Sequence, residues 1–318
     1  MRIKVLITFF VSLLTAQSFA QMLEDEAVEW LQNLIRIDTI NPPGNEYRAV
    51  DFYSRIFEAE GIDYHTAESA EGRGNIWARL EGGDEPGLIL LQHTDVVPAE
   101  EEFWTIEPLS GEIRDGYILG RGTRDMKGLG IIQLATFLSL HRSGVELNRD
   151  VIFLATADEE AGGYFGVGWL IENRSEIFDG AGVLLNEGGG GSRSEDGNVV
   201  FGVEVTQKVP VWLRLNAIDI PGHGSSPRTT SSVTRIVQAL NILLENPFPP
   251  RIIGPVAEYF SGLSVDMDEE WGPAYANISE AIRDPSFVQK LHEARPGHNS
   301  LVRDTCSMTR LSGSSKIN

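Results

Sequence analysis

Carboxylates and a single imidazole cluster in four short segments, three of which follow apolar runs. Gln92-His93-Thr94-Asp95 follows the run Leu88–Leu91 (LILL). Asp158-Glu159-Glu160, with Gly162 and Gly163 close behind, follows Val151–Ala155 (VIFLA). Asn186-Glu187 and the glycines Gly188–Gly191 follow Val183–Leu185 (VLL). The fourth segment, GRGTRDMKGLG, places Asp125 just before a helix start. Ligand sites of open α/β sheets lie at the carboxyl ends of the strands, so these groups are expected to meet in one cleft. That many carboxylates repel one another and raise each other's pKa unless a cation sits among them. His, Asp and Glu donors without sulfur suit a hydrolytic zinc site. Cys306 is the one cysteine, which excludes an internal disulfide and any cysteine-based metal knuckle.

The elements that must hold these groups are legible from periodicity. Residues 23–37 set Leu23, Ala27, Leu31, Leu34 and Ile35 on one helical face, and 46–60 form a second amphipathic helix ended by Gly61. Gly74–Leu80 alternates as a strand. The three apolar runs at 88–91, 151–155 and 183–185 have the marks of buried parallel strands, with helical patterns at 127–143 and 164–174 between them. Strands alternating with helices predict an α/β fold with a doubly wound, mostly parallel sheet. Near residue 205 the pattern changes. Val209–Ala217 alternates strictly, PGHGSSP at 221–227 is a loop, and 231–245 reads as a helix. Residues 247–300 are proline-rich with short helical stretches, and Thr305–Leu311 alternates like a strand. The expected organisation is a first domain over 21–204 and a second over 205–318.

Composition narrows the function. The chain has 318 residues, 46 acidic against 26 basic, for a formal charge of −20. Such a surface is unsuited to a nucleic-acid backbone, which needs a basic face, and to anionic lipid. The N-terminus carries Arg2 and Lys4, an apolar run over 5–14 and the small residues Ser18 and Ala20. This is the layout of a secretory signal peptide cut after Ala20, so an exported, periplasmic or secreted protein is expected, with no membrane attachment after cleavage. An uncleaved membrane anchor is the alternative, although the apolar run is short for a span.

The ordered motifs HTDVVP, GRGTRDMKG, TADEEAGG, NEGGG and GHGSSP resemble the zinc exopeptidase and amidohydrolase family of glutamate carboxypeptidase, aminoacylase, acetylornithine deacetylase and succinyl-diaminopimelate desuccinylase. The resemblance covers 23–245. It implies a catalytic domain with an inserted α+β lid that serves dimerisation, and two Zn2+ per active site. It makes His93, Asp125, Glu160 and Glu187 metal ligands, Asp125 bridging the two ions and followed by a cis peptide bond. Asp95 would orient the His93 ring, Glu159 would be the general base and proton shuttle, and His223 would polarise the scissile carbonyl. The implied substrates are small peptides or N-acyl amino acids cleaved beside a free carboxylate, and the implied assembly is a homodimer through the lid. His65, His141 and His292 read as surface residues and His298 is ambiguous. Arg121, Arg124 and Lys127 receive no catalytic role.

The sequence departs from the family at its end. The histidine that completes the second metal lies far downstream in the family, and this chain stops at Asn318, inside the expected lid. A C-terminal truncation is therefore expected, with about one tightly held zinc per chain instead of two. The competing expectation is a non-catalytic fragment that keeps partial metal binding or dimerisation.

Overall fold

The computed structural model describes residues 22–193, 197 and 199–313. The proposed signal segment lies outside the described residues. The chain forms two compact units, one up to Gly190 and one from Gly191.

The first unit is a mixed α/β layer structure. Helix α1 (22–36) and helix α2 (Tyr47–Glu60) precede strands β1 (Tyr64–Glu68), β2 (Gly74–Leu80) and β3 (Glu85–His93). Gly61 ends α2 in the left-handed conformation at φ 68°, its N–H returning to the Glu58 carbonyl, a geometry glycine adopts without penalty. A small hairpin of β4 (Glu112–Arg114) and β5 (Tyr117–Leu119) leads to α3 (Gly128–Ser143), β6 (Arg149–Thr156), α4 (Val167–Asn173) and β7 (Ala181–Leu185). The sheet order is β1-β2-β6-β3-β7. β2 is antiparallel to both its neighbours, and the β6-β3-β7 pairings are parallel, so four of the five strands run one way.

Apolar residues on the two sides of each strand explain the layers. Ile76, Leu90, Phe153 and Ala155 face Leu34, Tyr53, Phe57, Leu134 and Phe137 of α1, α2 and α3. Trp77, Ile89, Leu91, Ile152 and Leu154 face Leu170 of α4 and Ile177. A fully buried side chain of this size contributes about 1.5–3 kcal/mol. β6, with a partner on each edge, is buried from Val151 through Thr156. β7 differs from its expected burial: Val183, Leu184 and Leu185 are 45%, 45% and 46% exposed. Its run is apolar enough for the interior, but among the described residues it pairs on one edge alone, with β3.

The second unit holds a two-stranded sheet of β8 (Gly190–Arg193) and β9 (Val199–Gly202) and helices α5 (Ser232–Glu245), α6 (Gly254–Leu263), α7 (Gly272–Ala276), α8 (Ile278–Ala281), α9 (Pro285–Ala294) and α10 (Pro296–Leu301). α5 starts where a capping box forms, with Thr234 N–H donating to Ser231 Oγ and Ser231 N–H to Thr234 Oγ1. Its core gathers Val256, Phe260, Trp271, Tyr275, Ile278, Leu291 and Val302. Two expectations are corrected here. Val209–Ala217 and Thr305–Leu311 form no strand, and Val209, Val211, Trp212 and Leu213 are exposed. Alternation marks a chain fit for a half-buried sheet, but a strand exists only when a partner completes its ladder. No helix among the described residues is long and apolar enough to cross a membrane.

Candidate metal centre

The site is built where β3 and β6 end together. Their parallel register pairs His93 with Thr156. Thr94 N–H and Oγ1 both donate to the Thr156 carbonyl, at 2.9 and 3.1 Å, and Thr156 Oγ1 donates back to Gln92. The two outgoing segments are thereby fixed side by side. Behind them, Tyr53 Oη donates to Gln92 Oε1, and a Cβ on Gly130 would stand 1.7 Å from that oxygen. Glycine at the start of α3 is thus what lets the helix approach β3.

His93 is 2% exposed and presents one edge to the cleft. Its Nδ1 faces the Asp95 carbonyl at 3.0 Å and Asp95 Oδ1 at 3.3 Å, both acceptors, so Nδ1 carries the proton. Its Nε2 faces Asp125 Oδ1 at 3.1 Å, Glu187 Oε2 at 3.6 Å and Glu159 Oε2 at 3.9 Å. Asp125 lies in a distorted turn, Thr123–Lys127, outside helical dihedrals and followed by a cis bond to Met126. Gly122 opens the turn at φ 85°, and Lys127 N–H closes it on the Gly122 carbonyl. Fully buried Lys127 anchors it: Nζ donates to the carbonyls of Leu34 and Ile37, at 3.0 and 2.9 Å. Burial pushes this ammonium down to about 7.

Two sets of donors close to within 4.8 Å of one another, His93-Glu159-Glu187 and His93-Asp125-Glu160. The sequence reading grouped them differently, around a bridging Asp125. Asp95, fully buried, accepts from the backbone N–H of Glu159 and of Glu160, each at 3.1 Å. It therefore aims both glutamates as well as His93.

The charges of the site call for a cation. Burial, and then neighbouring Asp125, push Glu160 up to about 7. Burial also raises Glu159, with Glu187, Asp95 and Asp125 adding to the rise against the opposing pull of His93. Burial alone would lower His93, but bonds to Asp125, Asp95 and Glu187 push it up to about 12. His93 thus sits among five carboxylates, with Arg121 also acting on Asp125, and a divalent ion would offset their negative charge. One imidazole nitrogen with carboxylate oxygens is a donor set suited to zinc or a similar divalent metal.

His223 belongs to the second unit. Ser225 donates to its Nδ1 from both N–H and Oγ, at 3.3 and 2.9 Å, so neutral His223 carries its proton on Nε2 as an outward donor. His65 stacks on Trp77, His141 meets the Glu60 carbonyl, and His292 and His298 bond to Asn299 and Tyr275. Sequence reasoning gave no role to Asn41, Glu46, Arg73 or Asp158, which form a buried polar cluster beside Asp95. Asn41 opens an Asn-Pro-Pro-Gly turn, a signal that marks a loop but not what the loop touches.

Residues 89–309 match the family described as peptidase family M20/M25/M40. The chain belongs to this family. Among M20 relatives, it is similar to the N-fatty-acyl-amino acid synthase/hydrolase PM20D1 of Xenopus tropicalis, 30% identical over 315 residues that cover 92% of this chain and 59% of that protein. It is similar to aminoacylase-1 of Sus scrofa, 29% identical over 225 residues, covering 70% of this chain and 54% of that one. The chain thus spans little more than half the length of these curated relatives. Human carnosine dipeptidase 1, a solved structure, aligns over 53% of this chain and 39% of its own at 20% identity, with a TM-score of 0.46.

Proposed function

We propose that this M20 chain carries the metal-binding part of a divalent-metal hydrolase that cleaves an amide bond between an acyl group and an amino acid. The observation that carries this reading is the convergence of His93, Asp125, Glu159, Glu160 and Glu187 at the carboxyl ends of β3, β6 and β7. The two relatives described above, an N-fatty-acyl-amino acid synthase/hydrolase and an aminoacylase by name, support the substrate class.

His93, Asp125, Glu160 and Glu187 would hold the metal, zinc by its donor set. A bound divalent ion supplies positive charge that polarises the scissile carbonyl and makes water easier to deprotonate. Glu159, half-exposed and raised in pKa, is suited to take the proton from the attacking water and pass it to the leaving amine. Asp95 holds the His93 ring by its Nδ1 edge and turns Nε2 towards the cleft carboxylates. The family resemblance would make His223 the residue that polarises the scissile carbonyl, and its Nε2 is a donor of the kind that role needs. Export by the N-terminal segment and pairing of two chains through the second unit belong to the same proposal.

The test has two parts. Metal analysis of the purified chain after dialysis is expected to find about one retained zinc, since the two donor groups share their single imidazole, His93. Glu159→Gln is expected to keep that zinc and to lose at least about 10²-fold in kcat on an N-acyl amino acid. No retained metal sinks the metal-centre reading. Unchanged turnover removes Glu159 from the role of base.

A further inference from the structure

Asp95 touches His93, Glu159 and Glu160 at once, so whatever fixes Asp95 fixes the metal-facing geometry. The remaining strong donor to it is Asn41, whose Nδ2 lies 2.7 Å from Asp95 Oδ2. Asn41 reaches this place because residues 39–41 run alongside 94–96. Thr39 Oγ1 donates to the Thr94 carbonyl, Val96 N–H to the Thr39 carbonyl and Asn41 N–H to the Val96 carbonyl, all at 2.7–3.1 Å. The Asn41 side chain is 6% exposed and its orientation is forced. Nδ2 also donates to Asp158 Oδ1 at 3.2 Å, while Oδ1 accepts from Arg73 Nη1 at 3.2 Å. A flipped amide would set its oxygen against two carboxylates and its NH2 against a guanidinium.

Arg73, 5% exposed, is held just as firmly. It pairs with Asp158, meets Glu46 Oε1 at 3.3 Å, donates to the Pro43 carbonyl and lies over the Phe165 ring. Asp158 in turn accepts from Phe165 N–H, and Glu46 from Asp158 N–H. Its guanidinium is the cation that lets Glu46 and Asp158 stay buried beside Asp95, since buried charges need partners.

We infer that Asn41, oriented by Arg73, is a positioning residue of the metal centre that acts through Asp95. This rests on the metal-centre reading proposed above. The relay Arg73-Asn41-Asp95-His93 transmits rigidity, not protons: each member leaves the next a single orientation. Residues that orient a metal ligand in this way are worth about 10–100-fold in metal affinity.

The experiment is Zn2+ affinity of the full chain by chelator competition, in a double-mutant cycle. Asn41→Ala is expected to weaken Zn2+ about 10–100-fold alone and less than about 3-fold when Asp95 is already Ala. Arg73→Lys keeps the charge but loses the fork, and is expected to give a smaller loss that also vanishes beside Asp95→Ala. Circular dichroism and thermal unfolding of each apo variant confirm folding, and Asn41→Ser replaces Asn41→Ala if the latter does not fold. A loss of the same size in both Asp95 backgrounds, or no loss from Asn41→Ala, overturns the positioning role. Failure of the unsubstituted chain to bind Zn2+ overturns the metal-centre reading, and this inference with it.

Discussion

β6 and β7 are written in the same apolar alphabet and both run out into metal-type carboxylates, yet the structure treats them differently. β6 has β2 on one side and β3 on the other, and Ile152, Phe153 and Leu154 are fully buried. β7 pairs with β3 alone among the described residues and leaves Val183, Leu184 and Leu185 nearly half exposed. The difference passes on to the candidate ligands. The backbone of Glu159 and Glu160 is pinned to Asp95, whereas Glu187 follows a strand whose Leu185 carbonyl has a 3.4 Å contact to Gln133 Nε2. An apolar run therefore reports what a strand can bury. Its neighbours decide what it does bury, and how firmly the residue after it is aimed.

The largest expected effect tests the packing contrast. Leu154→Ala should cost about 2–5 kcal/mol, the usual range for a buried leucine, and Leu184→Ala less than about 1 kcal/mol. Denaturant unfolding measures both, and equal costs would show that β7 is covered in solution. Next comes the contrast between ligands. His93→Ala, which removes a donor common to both groups, should abolish stabilisation by Zn2+, worth about 2.7 kcal/mol at a hundredfold excess over Kd. Glu187→Ala should keep part of it, and identical losses would put the β7 ligand on a par with the rest.

A smaller effect probes the bracing behind β6. Burial pushes Glu46 up to about 7 from 4.5, against the opposing pull of Arg73. Its folded pKa is thus above the unfolded one, and the folded state holds the proton more tightly. That contribution is complete below about pH 4.5 and is lost as pH rises towards 7. Glu46→Gln should remove most of this decline, read as a flatter thermal midpoint between pH 4.5 and 7. An unchanged slope would mean that Glu46 stays ionised in the fold.

Much of the first unit was legible because its signals are local. The ends of α2 and α3 are written as Gly61 and Gly144, and the runs at 88–91 and 151–155 are long enough to mark central strands. The five acidic and imidazole groups that the fold brings together were legible because each follows a strand or opens a helix. Asn41 and Arg73 were not, since their meaning lies in contacts across 32 to 117 residues of sequence. The alternation of Val209–Ala217 misled for the opposite reason: the pattern is local, but a ladder requires a second chain segment.

Lys127 sets a limit on how far this molecule can be shortened. Its ammonium is the tether between the Asp125 turn and the end of α1, through the carbonyls of Leu34 and of Ile37 just beyond it. A chain begun after Ile37 would keep every acidic group and His93 in its sequence, yet strip Lys127 of both carbonyls that its Nζ donates to. The smallest autonomous version of the centre therefore starts ahead of Leu34, at least 59 residues before its first donor, and the stretch that looks most dispensable by chemistry is indispensable by architecture.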